Sequence, residues 1–180
     1  MNKKLIAKLI ALAVTGFFHS AEAATTLTVI LPNHTNTFTT SVGSFFDAGI
    51  YVDGLADFAG FDFNLTYNSN NLSALTLTSG DIFGADTVSF ANTISPGSIH
   101  FAQALSDTSL ATSGLNVTAP TLLGTVHFKA LAVNASIPVD ITNPQIYSFD
   151  GTSLAGTLQG AKVIVTAAPA AVPLPVPTFL

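Results

Sequence analysis

The chain has 180 residues and a formal net charge of −5, with only 8% charged residues, no Arg, no Trp and no Cys. So few cations exclude a phosphate-neutralising nucleic-acid binder or an anionic-membrane binder, because both need basic side chains. The missing cysteines exclude disulfide staples, so the fold must rest on burial alone.

The N-terminus reads as an export leader over residues 1–23. Lys3, Lys4 and Lys8 form the basic start, Leu9–Phe18 the apolar stretch, and Ala21-Glu22-Ala23 a small-x-small cleavage site. The apolar run is too short to cross roughly 30 Å of hydrocarbon. Removing these residues leaves 157, the size of one domain with its own core. Lys129 and Lys162 then face nine Asp, a formal balance of −7.

Thr25–Leu31 is the first expected strand, ended by Pro32-Asn33-His34, and residues 35–44 are polar. Phe45–Leu55 follows with a turn at Asp53-Gly54. In Phe58–Tyr67 the large residues Phe61, Phe63, Leu65 and Tyr67 alternate with Asp62, Asn64 and Thr66. A period of two places the first set in a core and the second on an outer face. Asn68–Asn71 is a turn, Leu72–Thr78 a strand, and residues 79–85 a loop. Thr87–Ile94 and Ser98–Leu105 flank the hairpin turn Ser95-Pro96-Gly97. Residues 106–120 lack a period and read as loop. Leu122–Val133 alternates again, with Thr125, His127 and Lys129 on the polar side. Ser136–Ile141 and Leu158–Val165 close the domain around a turn-rich stretch, residues 143–156. About nine short strands without an amphipathic helix argue an all-β sandwich. A parallel β-helix competes, but no fixed repeat supports it. Beyond Thr166 the chain is Pro- and Ala-rich, which prevents both helix and ladder.

Catalytic chemistry finds little footing. Asp53, Asp81 and Asp150 sit beside Gly or in turns, where Asp bonds its own backbone, and no G-x-S-x-G elbow surrounds any Ser. No catalytic residue and no cofactor are expected. Zinc on His100 and His127 would need neighbouring strands, and calcium would suit the loop oxygens of Asn68, Asn70, Asn71 and Asp81 better. The EF-hand spacing is missing. Sugar-stacking platforms favour Trp and Tyr, and here Tyr51, Tyr67 and Tyr147 stand alone against Phe residues at core-facing positions. Five N-x-[ST] triplets, at Asn33, Asn64, Asn71, Asn116 and Asn134, carry no functional weight in an Asn- and Thr-rich chain.

Five segments in order resemble cohesin domains, most of all the divergent bacterial versions outside cellulosomes: Ile50–Leu55, Phe61–Leu72, Ser79–Phe83, Gly97–Phe101 and Leu123–Ala130. The resemblance covers about residues 25–166. It implies a nine-stranded jelly-roll β-sandwich shared with a class of cellulose-binding modules. It also implies that one sheet face binds a dockerin, a small calcium-loaded helical module. Asp62 matches the family's partner-contacting Asp in the "F-D-F" strand, whereas Gly60 stands where cellulosomal members often carry Asn. The expected partner-binding residues are Asp62, Asn64 and Thr66 with Thr125, His127 and Lys129. Val172-Pro173-Leu174-Pro175 resembles the opening of a PEP-CTERM sorting signal, without the apolar helix and Arg cluster that complete one. The reading is a secreted, non-catalytic module that attaches protein or polysaccharide at the surface or matrix of a Gram-negative bacterium. A carbohydrate-binding module of polysaccharide catabolism is the alternative.

Overall fold

Two sheets lie face to face in the computed structural model, which describes residues 26–106 and 112–170. The expected leader (residues 1–23) and most of the Pro/Ala-rich tail (171–180) lie outside the described residues. One sheet has the strand order β11-β1-β3-β9-β5. Its members are β1 (Thr26–Ile30), β3 (Phe45–Asp53), β5 (Leu72–Ser79), β9 (Thr121–Ala130) and β11 (Thr157–Gln159). The second has the order β2-β12-β10-β4-β7-β6, with β8 attached to β4. It comprises β2 (Thr37–Ser41), β4 (Leu55–Tyr67), β6 (Thr87–Ser95), β7 (Ser98–Leu105), β8 (Leu115–Val117), β10 (Asn134–Ser148) and β12 (Ala161–Thr166). Among the described residues the only helical pieces are two single 3₁₀ turns.

The all-β sandwich holds, with more strands than the nine expected. The three short additions are β2, β8 and β11. Thr-rich or three-residue segments lack a readable alternation, and they become strands because a longer neighbour offers an unpaired edge. Strand β10 also runs seven residues past Ile141, through Asn143 and Pro144, where a bulge absorbs the turn-like sequence.

Most pairings are antiparallel, and two are parallel. β1 pairs β11 in one sheet, while β2 pairs β12 in the other. Of the chain's many crossings between the sheets, two therefore run side by side, at residues 31–36 and at Gly160. A Cβ at Gly160 would stand 2.0 Å from Asp140 Oδ1 and 3.1 Å from the Val139 carbonyl, so a larger residue there must turn the Asp140 side chain aside.

Period-two patterning explains the core. Phe58, Phe61, Phe63 and Leu65 of β4 are buried together with Ile99 and Phe101 of β7 and Val126 and Phe128 of β9. Phe61 meets Phe101 edge-on, with centroids 4.9 Å apart and planes at 70°, a favoured aromatic arrangement. Phe83 reaches in from a loop to stack on Phe58 at 5.3 Å. Burying each such ring contributes about 1.5–3 kcal/mol. Three rings depart from the core-facing expectation: Phe45, Phe90 and Phe149 are exposed.

Candidate functional site

Strand β4 lies between β10 and β7, near the middle of its sheet. Its burial alternates from Phe61 to Tyr67, with every odd residue buried and Asp62, Asn64 and Thr66 half-buried on the outside. Across β7 these three face Ala102, His100 and Ser98, and across β10 they face Gln145, Thr142 and Asp140. The outcome is a flat polar row braced on both flanks by hydrogen-bonded strands. Tyr67 anchors the end of the strand by donating its hydroxyl to the Ser95 carbonyl at 3.1 Å.

Asp62 is held by His100, whose Nε2 lies 2.8 Å from Asp62 Oδ1, with both side chains nearly half exposed. The pair is diagonal across two strands, within reach of long side chains. At that exposure the pair adds at most about 1 kcal/mol to stability. Its consequence is positional: the carboxylate is fixed at the sheet's centre.

Gly60 extends the same row outward, between Tyr147 on β10 and Ala104 on β7. A Cβ there would lie 3.1 Å from the Ala104 Cβ and 3.3 Å from the Gln103 carbonyl. A larger residue at this position must push Ala104 aside by a few tenths of an ångström. Val88 and Phe90 of β6 add exposed apolar area to this sheet's edge strand.

Thr125, His127 and Lys129 do not join that row. They sit on β9 of the other sheet and face the opposite side of the sandwich, so one flat partner cannot touch both sets. There His127 Nδ1 lies 2.6 Å from Asp47 Oδ1, and the Phe45 ring stacks on the imidazole at 5.5 Å. Lys129 Nζ stands 5.5 Å from the Phe45 centroid, a cation–π contact that accounts for this exposed Phe. Sequence reasoning missed Asp47 and Phe45, although alternation in Phe45–Asp53 places both on one outer face.

The metal expectations meet a different geometry. His100 and His127 are on opposite sheets, each bound to its own Asp, so they cannot share an ion. Asn68 Oδ1 accepts from the Asn70 amide at 3.0 Å, and Asn71 Oδ1 accepts from Asn134 Nδ2 at 3.1 Å. The first staples a turn, and the second ties together chain segments 63 residues apart. Among the described residues no group of three or more His, Asp or Glu comes together.

Two of the turn aspartates, Asp53 and Asp150, bond backbone through their carboxylates as expected. Asp53 Oδ1 accepts from the Gly54 amide at 2.8 Å. Hydrogen bonds from the Ser148 hydroxyl first, then from the amide and hydroxyl of Thr152, hold the Asp150 carboxyl below its ordinary range. Asp57 was not anticipated. It sits in β4 with φ +57, and its Oδ1 accepts from the Gly114 amide at 2.7 Å. It thereby ties the loop before β8 to the sheet.

The family model described as "Cohesin domain" matches residues 35–163. No curated protein matches the sequence. Among solved structures, the chain resembles a non-cellulosomal cohesin from the hyperthermophilic archaeon Archaeoglobus fulgidus. The TM-score is 0.62 at 16% identity, over 80% of this chain and 92% of that one. A cohesin module from a Clostridium perfringens family 33 glycoside hydrolase gives TM-score 0.61 at 17% identity, over 81% and 98%. A type I cohesin–dockerin complex from Clostridium thermocellum gives 0.64 at 12% identity, over 83% and 100%. At these identities the likeness concerns the fold.

Proposed function

Since the chain belongs to the cohesin domain family, whose members are non-catalytic binding modules, we propose that it attaches a dockerin-like helical module to the outer face of its seven-stranded sheet. The observation that carries this reading is the flat row of Asp62, Asn64 and Thr66, with Asp62 oriented by His100. A rigid face costs little ordering on docking, and a central polar group held in place gives register to a partner. Complexes of similar cohesins with dockerins support a partner of that class. The row on β4 itself carries no aromatic ring; the nearest exposed one is Tyr147 on β10, beside Gly60.

We place the module outside the cell, exported by residues 1–23, with the tail from Val172 acting in surface sorting in a Gram-negative host. Mass spectrometry of secreted protein should find a mature N-terminus at Ala24; a retained leader would refute export.

The docking test uses immobilised calcium-loaded dockerin modules and the full chain, read by surface plasmon resonance. Asp62→Ala should weaken capture at least about thirty-fold, a central hot-spot loss of ~2 kcal/mol. Its melting temperature should fall by no more than the few degrees that losing about 1 kcal/mol brings. Unaltered capture by this variant would move the interface off β4.

A further inference from the structure

The opposite sheet carries a groove of 430 Å³ that the docking reading leaves unused. That volume falls in the range of ligand pockets. Its floor is the cross-strand row Ile30–Gly49–Thr125, which runs over β1, β3 and β9. Glycine at the middle of an outer row removes a side chain, and the Tyr51 ring fills part of the space it leaves, so the open trough lies beside that ring. Tyr51 forms one wall and leans over the trough: a Cβ at Gly49 would stand 2.6 Å from Tyr51 Cε2. Asp47 forms the facing wall, with Oδ1 committed to His127.

The end wall is the tight loop after β1. Asn33 and His34 there adopt φ +65 and +56, a left-handed conformation that costs non-glycine residues energy. The loop is pinned by the Leu31 amide on the Thr35 carbonyl at 2.9 Å and by the Thr35 hydroxyl on the Thr37 carbonyl at 2.8 Å. A braced loop that holds two polar side chains over a trough is a preorganised wall.

We propose that this groove binds a neutral polysaccharide, with one pyranose ring stacked on Tyr51 and its hydroxyls bonded to Asp47, Thr125 and His34. An aromatic face next to hydroxyl-bonding groups matches a sugar ring, which is apolar on its faces and polar on its rim. No Lys or Arg lines the groove, and that selects against uronic or sulfated chains. The two faces would then let the module hold a sugar matrix on one side and a protein on the other.

The test titrates the full chain calorimetrically with neutral hexasaccharides of glucose, xylose and mannose, alongside a hexauronate. Binding of at least one neutral sugar is expected. Tyr51→Ala and Asp47→Asn should each weaken it at least about tenfold, the scale of one stacking or hydrogen-bonding contact. Gly49→Ala, which displaces the Tyr51 ring without deleting it, should weaken it as well. Asp62→Ala should bind the sugar as the parent does, so the two faces fail or succeed separately. The proposal is overturned by no neutral sugar binding at millimolar concentration, by tighter hexauronate binding, or by affinities unchanged in all three groove variants. Self-association lost in Tyr51→Ala, without sugar binding, would assign the groove to a second copy and overturn it equally.

Discussion

Phe101 and Gly124 offer a direct measurement of how tightly the two sheets are locked. Phe101 belongs to β7 and is fully buried against Phe61 and Phe63. Gly124 belongs to β9 in the facing sheet, and a Cβ there would stand 2.7 Å from Phe101 Cε1. Phe101→Ala deletes a ring and leaves a cavity, at a cost of about 3–5 kcal/mol. Gly124→Ala drives a methyl into that ring, costing about 1–3 kcal/mol of overpacking. In the double variant the methyl enters vacated space, so the overpacking term falls. The Thr78 carbonyl, 3.1 Å from the same Cβ, keeps part of it. The expected coupling is about 1–2 kcal/mol in favour of the double variant. Urea unfolding of all four proteins measures it, with Phe101→Leu in place of the alanine variant should the latter be too unstable. Additivity within about 0.5 kcal/mol would refute direct contact between the sheets at this point.

Two further outcomes follow from local geometry. A Cβ at Gly114 would stand 2.3 Å from the Asp57 carbonyl oxygen, so Gly114→Ala should lower the urea midpoint and release the loop before β8 to proteolysis. An unchanged midpoint would mean that this loop is not docked on β4. Hydrogen bonds from Ser148 and Thr152 lower the Asp150 pKa, so its contribution to stability is full above the ordinary carboxylate value. It is lost as pH falls through the lowered, folded value. Asp150→Asn should therefore lower the melting temperature slightly at neutral pH while changing little in acid, which flattens the acid limb. An unaltered acid limb would remove Asp150 from that account.

Alternation alone determined the faces of the long strands. The order Phe61-Asp62-Phe63-Asn64-Leu65-Thr66-Tyr67 fixes which side chains face water, because a strand repeats every two residues and apolar burial allows one register. The same logic marked Thr125, His127 and Lys129 as outward, and the ordered cohesin-like segments carried the family and the sandwich. Period two says that a side chain points outward; it does not say from which sheet. That choice depends on long-range pairing, so only the tertiary structure separated the β4 and β9 rows onto opposite faces. Pairing across distant strands also created the His100–Asp62 and His127–Asp47 contacts, 38 and 80 residues apart in sequence. The groove over Gly49 arose the same way. A glycine in a strand lies in a groove only when neighbouring strands and a braced loop enclose it, and those walls come from separate stretches of the chain.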